Sequence, residues 1–380
     1  MSARTSLQII QCAAYGGPYR GSFIPMLESV AREAAGRGHW TTVVLPGAVR
    51  DRPWVPDLAA VSEVRFVADG GSRVGAGGAT LRALGSALDA HPGPAVVHTH
   101  FAAFDIPAAL MRLRRRNLAV FWHEHGPVLD DPGVRLRNTV RYATVGRLVD
   151  GMLCVSSELR AQLQARHAPA GKLYDFPNAV DTAVFAPATP EERSAARTSL
   201  GLGESDRVVL HFGWDWARKG GDLVVGAAEL LAGEPDVVVL TVLREGLDSV
   251  PGAAGSAVLR AVPPTNDVRR LYAAADAFLS CGRAEGMPLA VLEALASGLP
   301  VVATDLPVQR RALEGLPAAA IVAADPEAIA SGIRQVLSVD PADRAAHAAQ
   351  ARARIVDGYG LAAWARRLVD LYESALLERP

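Results

Sequence analysis

Cysteine is nearly missing from this chain: three in 380 residues, Cys12, Cys154 and Cys281, with no paired spacing. An odd, sparse set excludes a disulfide framework and reads as a reduced, cytoplasmic protein. All three fall in apolar, strand-like runs, where a thiol serves as small core filler. An excess of positive charge is missing as well. Lysine and arginine number 39 against 40 aspartates and glutamates, a formal net charge of −1, which excludes a general nucleic-acid binder. No apolar run approaches the roughly 20 residues of a membrane-spanning helix. The N-terminal run LQIIQCAAYGG is interrupted by Gln8 and Gln11 and reads as a first buried strand, not a signal peptide. Low-complexity tracts and short-period repeats are absent, and the Ala/Gly/Arg-rich wording is compositional. What remains is a soluble, globular balance, 50% hydrophobic and 21% charged. The chain is too long for one ordinary core, so two domains are expected.

The most informative stretch is Arg283 to Thr304, RAEGMPLAVLEALASGLPVVAT. The short apolar run Ala277–Ser280 before it reads as a buried strand. Pro288 suits the first turn of a helix, where its missing N–H is harmless. The helix is expected to run to Ser297, with Gly298 in the left-handed position that ends it. Leu299–Thr304 resumes as a strand, making one crossover unit of a parallel sheet. Such sheets bind ligands beyond the carboxyl ends of their strands. Glu285 lies in the loop, and Glu293 sits about two turns into the helix. The helix N-terminus between them suits a phosphate, and carboxylates beside an anion site suit sugar hydroxyls. For either glutamate alone, a solvated loop charge or an outer-face helix residue is the commoner reading.

With its flanks this stretch resembles the signature of glycosyltransferase family 4, E-x7-E followed by a Gly-Pro-Val-Val strand. The resemblance implies a GT-B fold, α/β with two Rossmann-like domains and a cleft between them. It implies that Glu285 contacts the transferred sugar, that Glu293 binds the nucleotide's ribose, and that Gly286, Met287 and Pro288 belong to the donor-binding loop. Met287 stands where the family has an aromatic, and Gly282-Arg283 where it has a Ser. Upstream, GWDWARKG (Gly213–Gly220) resembles the loop whose Arg and Lys-Gly pair grip the donor diphosphate. Lys219-Gly220 matches, but Trp214 stands at the Arg position; either Arg218 supplies that charge or Trp214 marks altered donor contacts. A basic turn before a helix is the plain alternative. NAVDTAVF (Asn178–Phe185) resembles the family's link between the halves, with Ala179 where Gly is usual. Gly16 and Gly17, after the first strand, are placed near the substrates by the same resemblance, although a Gly pair alone more often makes a tight turn. The expected domains are 1–185 on the acceptor side, 186–357 on the nucleotide-sugar side, and 358–380 as a helix returning to the first domain.

Ala95–His100 and Ala119–His125 read as strands ending in histidines. Two H-x-H patterns place imidazoles on one strand face, but zinc needs three or four converging ligands and nothing further in the chain fits. The resemblance instead assigns a catalytic-cleft histidine to His125, before Gly126, with His123 as the rival; His98 and His100 read as hydrogen-bonded strand-end residues. Arg112, Arg114, Arg115 and Arg116 are expected on a helix over Pro107–Arg116, where a basic face suits an anionic membrane, although a solvated helix end is commoner. They would allow a peripheral position at the inner face of the membrane.

The implied reaction moves a sugar from a nucleotide-sugar donor to a hydroxyl acceptor (a glycan, a lipid-linked sugar or a small molecule) with retention. Catalytic roles fall to Glu285, His125 and Lys219. Arg218, Lys219 and the helix start near Gly286 stabilise the departing diphosphate. No Asp-x-Asp is present, so no metal or other cofactor is expected. A nucleotide-sugar epimerase of the same fold and a non-catalytic sugar-nucleotide-binding subunit are the alternatives; acceptor dependence separates the first, and any turnover the second.

Overall fold

The computed structural model describes residues 6–68, 73–126, 131–253 and 255–377, without side chains for 73–76 and 377. The chain divides into two compact domains. The first comprises residues up to Ala179 together with those from Leu361 onward; the second is Val180–Gly360. Expectation put these boundaries at 185/186 and 357/358. The first moves because Val180 and Phe185 pack in a core of the second domain, with Tyr272 and Leu292. Val180 also takes the Tyr359 carbonyl as its backbone acceptor (2.9 Å). Between them Asp181 Oδ1 accepts from the amides of Ala183 (3.0 Å) and Val184 (3.2 Å), an Asx turn that closes the link.

The first domain is a seven-stranded, all-parallel sheet. Its strands are β1 (Gln8–Ala13), β2 (Trp40–Pro46), β3 (Glu63–Val67), β4 (Ala95–His100), β5 (Leu118–Glu124), β6 (Gly151–Cys154) and β7 (Leu173–Asp175). They lie in the order β3-β2-β1-β4-β5-β6-β7. Near-continuous apolar runs such as Ala95–Val97 and Leu118–Trp122 suit strands covered on both faces. The C-terminal helix Leu361–Leu377 supplies part of that cover. Trp364, Leu368 and Tyr372, spaced along one stripe, are buried against Ile9, Val96 and Phe121. Arg37 fastens the helix from outside through Asp370 (2.6 Å) and Glu373 (2.8 Å).

The second domain is a six-stranded parallel sheet. It comprises β8 (Arg207–Phe212), β9 (Val237–Val242), β10 (Leu259–Val262), β11 (Ala277–Ser280), β12 (Val301–Thr304) and β13 (Ala319–Val322). The order β10-β9-β8-β11-β12-β13 reverses direction between β8 and β11. In an open parallel sheet that switch point is where the loops part and a ligand enters. In the first domain the corresponding pair is β1 and β4. The helix after β11 spans Leu289–Ala296, with Pro288 at its N-cap, one step earlier than expected. Gly298 takes φ +79°, the left-handed turn that ends it.

Among the described residues no helix is long and apolar enough to cross a membrane. All three cysteines are buried and unbridged. The basic helix expected over Pro107–Arg116 ends at Arg112, so Arg114, Arg115 and Arg116 follow it in a turn. Arg112 faces Asp150 (3.6 Å) and Arg115 pairs with Asp89 (2.5 Å). The four guanidinium groups therefore do not form the continuous helical face that membrane contact was expected to use.

Candidate functional site

Two loops leave the carboxyl ends of β8 and β11 and pack against each other. At the first, a Cβ on Gly213 would sit 2.9 Å from Leu243 Cδ2 and 3.1 Å from Thr241 Oγ1, so the turn is tight. The chain then throws Trp214 outward, 48% exposed. Further along, Gly220 adopts φ +71°, and a Cβ there would lie 2.0 Å from the Cys281 carbonyl oxygen. Only glycine allows this backbone-on-backbone approach. The Arg283 amide donates to the Arg218 carbonyl (2.8 Å), and the Arg283 guanidinium reaches Asp222 (2.6 Å) and the Ala217 carbonyl (2.8 Å). The two loops are thus stitched along several residues.

The stitching brings together side chains 66 residues apart. Lys219 Nζ donates to Glu285 Oε1 at 2.7 Å. Both are largely enclosed, their side chains 15% and 8% exposed. Arg218 pairs with Asp215 (2.7 Å) and lies 3.7 Å from Glu285 Oε2. Lys219 Nζ also stands 5.0 Å from the centroid of the Trp214 ring, in cation–π range. Of the expected donor residues, then, Arg218, Lys219 and Glu285 meet directly. Arg218 thus lies beside the Lys219–Glu285 pair, and Trp214, at the position where an Arg was expected, is a neighbour of the lysine. His211, at the end of β8, went unnoticed in the sequence. Its Nε2 lies 3.3 Å from the Lys219 carbonyl and its Nδ1 2.9 Å from Thr241 Oγ1, so it anchors the loop backbone. Burial pushes its imidazole down to about 4, which keeps it neutral.

Glu293 lies inward, 4% exposed, and not on an outer helix face. The Tyr272 hydroxyl lies 2.7 Å from its Oε2. Burial, then the Glu293 carboxylate, holds that phenol well above its usual range, so it remains a donor. Gly286 and Pro288 are buried and Met287 is half-buried against the core. The helix start is less open than a regular first turn: the Leu289 and Val291 amides already bond the Met287 and Pro288 carbonyls (both 2.9 Å).

In the first domain, Gly16 and Gly17 follow β1. Nothing lies within 4 Å of a Cβ placed on Gly16; one on Gly17 would lie 2.6 Å from the Tyr15 hydroxyl oxygen. Trp54 Nε1 donates to the Gly17 carbonyl (3.3 Å). Beyond β4, Phe101 and Ala102 take φ +66° and +60° in succession. Left-handed non-glycine residues cost about 1–3 kcal/mol each, and such strain gathers at working sites. Phe101 lies over His125, ring centroids 4.9 Å apart.

The β4–β5 register sets His100 opposite His123 and His98 opposite Phe121, so the histidines of both strands share a face. His98, His100 and His123 are buried, with one nitrogen of each within 4.8 Å of the others. A third imidazole therefore does join the first H-x-H pair, contrary to the sequence expectation. The His98 and His123 rings, however, are 7° from parallel with centroids 5.2 Å apart. Ligand lone pairs lie in the ring plane, so a stack of this kind does not aim them at one point. Outer partners are Tyr372 on His98 Nδ1, Gln11 on His100 Nε2 (2.8 Å) and Asn178 on His125 Nδ1 (3.2 Å). His125 is half-buried where His123 is enclosed, and both His125 nitrogens are engaged, Nδ1 by Asn178 and Nε2 by His100 (2.8 Å). Burial pushes His125 down to about 4. Nearby, Arg141 bridges Asp105 (3.1 Å) and Glu124. Burial outweighs the arginine and pushes Glu124 up to about 7. No sequence motif announced this trio.

Comparison with known proteins bears on both domains. Residues 26–184 match the family described as Glycosyltransferase Family 4, and residues 206–339 that described as Glycosyl transferases group 1. A D-inositol 3-phosphate glycosyltransferase of Mycolicibacterium gilvum is 34% identical over 206 residues, 50% of this chain and 45% of that protein. A GDP-mannose-dependent monoacylated alpha-(1-6)-phosphatidylinositol monomannoside mannosyltransferase of Corynebacterium glutamicum is 26% identical over 243 residues, 60% and 64% of the two chains. The chain spans about half the length of the curated relatives it matches first. Among solved structures, Anabaena HepE in complex with UDP-glucose superposes with a TM-score of 0.78 at 17% identity, covering 97% of this chain and 99% of that one. At that identity the likeness speaks for the fold, GT-B, with its two Rossmann-like domains.

Proposed function

The chain belongs to glycosyltransferase family 4, and from that premise we propose that it transfers a sugar from a nucleotide-sugar donor to a hydroxyl acceptor, with retention at the anomeric carbon. The observation that carries this is the Lys219–Glu285 pair at the β8/β11 switch point, with Arg218 beside it. Breaking the bond between sugar and diphosphate builds positive charge on the sugar and negative charge on the leaving oxygen. Lys219 and Arg218 supply fixed positive charge for the leaving group. Glu285 faces the sugar, where a carboxylate accepts hydroxyl hydrogen bonds and opposes the developing cation. Glu293, held by Tyr272, takes the ribose hydroxyls. His125, neutral at pH 7, is held through both ring nitrogens by His100 (2.8 Å) and Asn178 (3.2 Å), beside Phe101 at the carboxyl end of β5. With no second carboxylate placed as a nucleophile, attack comes from the face the diphosphate leaves, and the departing phosphate helps to deprotonate the acceptor.

The relatives suggest which donors and acceptors to test first. The two relatives are named for activities on inositol phosphate and a phosphatidylinositol mannoside, so phosphorylated cyclitols and their lipids are the first acceptors to try. UDP- and GDP-sugars are the first donors. Turnover requiring both donor and acceptor supports transfer, whereas acceptor-independent isomerisation points to an epimerase. Lys219→Ala, still folded, is expected to lose about 10²–10³ in rate, the usual effect of removing one group that stabilises transition-state charge. Near wild-type turnover in that variant refutes the assignment.

A further inference from the structure

Trp214 is the residue that family membership leaves unexplained. A singly exposed hydrophobic side chain needs no explanation of its own; what sets Trp214 apart is the company it keeps. Trp40, the other strongly exposed tryptophan, stacks on His91 (4.8 Å, 13°). Trp214 has the Lys219 ammonium against it, 5.0 Å from the ring centroid. Four further features set its surroundings. The ring leaves the carboxyl end of β8, at the switch point where ligands enter this sheet. The turn that presents it is fixed by the tight packing at Gly213. The ammonium beside it is itself held by Glu285 at 2.7 Å, so indole, cation and carboxylate form one contiguous group. Finally, Glu293 sits about one turn into the helix that follows the Glu285 loop, so the nucleoside end of a donor, on the reading above, lies away from the indole.

We propose that Trp214 is a sugar-binding platform: its open face stacks on the ring of the sugar carried by the donor, while Lys219 beside it takes the diphosphate. The inference rests on the nucleotide-sugar reading above and adds the residue that reads the sugar ring. A pyranose offers a face of polarised C–H groups that suits the electron-rich face of an indole, and its hydroxyls, which point outward around the ring, remain free for Glu285. The Lys219 charge polarises the ring and fixes its angle. An arginine at this position adds charge for the phosphate; a tryptophan gives that charge up for contact with the sugar and leaves the phosphate to Lys219 and Arg218.

Calorimetric titration of UDP, UDP-glucose, GDP and GDP-mannose into wild type, Trp214→Ala and Trp214→Phe tests this. An aromatic contact of about 1.4 kcal/mol corresponds to a tenfold change in affinity. Trp214→Ala is therefore expected to bind the nucleotide-sugar about tenfold more weakly and the matching free diphosphate within twofold of wild type. Trp214→Phe should keep most of the affinity. Equal losses on both ligands would mean that the indole acts only through Lys219, and no loss on either that it contacts nothing; each overturns the platform alone. If wild type binds none of the four ligands, the nucleotide-sugar reading falls and the platform with it. The unfolding midpoint of each variant, expected to match wild type at so exposed a position, separates lost binding from lost fold.

Discussion

Neutralising Glu285 is expected to tighten the grip on free nucleotide while destroying turnover. In the ligand-free protein the Lys219 ammonium is already matched by a carboxylate 2.7 Å away. The immediate group (Asp215, Arg218, Lys219, Glu285) carries two charges of each sign. A diphosphate arriving at Lys219 therefore meets a site with no net charge and must share or displace Glu285. A carboxylate about 5 Å from a phosphate charge repels it by roughly 3 kcal/mol at an effective dielectric of about 20. If solvent screening halves that, about 1.5 kcal/mol remains, about tenfold in affinity. Glu285→Gln keeps the shape and the hydrogen-bonding oxygen and removes the charge. It should bind UDP or GDP about tenfold more tightly than wild type, with a steeper salt dependence, and turn over far more slowly because the carboxylate that faces the sugar is gone. Titration calorimetry at two ionic strengths beside steady-state kinetics reads both effects. A folded Glu285→Gln that binds the diphosphate no better than wild type refutes the competition, and one that also keeps its turnover number removes Glu285 from the reaction.

Three further outcomes follow from the same geometry. Glu293→Ala should weaken free diphosphate and intact donor alike, since the ribose is common to both; unchanged binding of both in calorimetry rules out a ribose contact. Transfer should persist in EDTA because Lys219 and Arg218 provide the positive charge, and activity lost on chelation and restored by Mg²⁺ or Mn²⁺ contradicts this. His211 makes the second domain acid-sensitive: its folded-state value of about 4 lies below the ordinary 6.5, so the unfolded chain takes up a proton that the folded one refuses. Its contribution is constant above pH 6.5 and falls away by about 3 kcal/mol as pH drops from 6.5 to 4. Denaturant unfolding at pH 7 and pH 4.5 should show a smaller difference in His211→Gln than in wild type, and an equal difference rules out His211 as a source.

Local chemistry made much of this molecule legible in advance. The unit from Ala277 to Thr304 could be read because its strand, proline, apolar helix and glycine each state a backbone preference within a few residues. The C-terminal helix was readable from the stripe Trp364, Leu368, Tyr372. Side-chain meetings were not readable in the same way. Lys219 and Glu285 were both nominated, but their contact depends on which strands adjoin, and β8 lies beside β11 although two strands intervene in sequence. The histidine cluster depends on the β4–β5 register, which no local pattern fixes, so His123 was not foreseen beside His98 and His100. Arg141, Asp105 and Glu124 come from separate segments and carry no spacing signal. The edge strand Glu63–Val67 was passed over because its residues are mostly half-exposed and charged ones interrupt it. Basic residues past Arg112 looked helical because arginine favours helices, yet the helix had already ended.

The contact between Gly220 and the Cys281 carbonyl has a bearing on how this scaffold can be re-engineered. With 2.0 Å between a would-be Cβ and that oxygen, position 220 admits no side chain while the two loops keep this contact. Ammonium and carboxylate depend on this contact, because each sits within a few residues of it. On the proposed reading, the contacts to the donor's sugar and diphosphate come from two segments together, residues 213–221 and 281–288, and not from either half. A library that diversifies one segment and holds the other fixed will sample mostly mismatched surfaces. Grafting both segments together from a homologue is the exchange that this architecture permits.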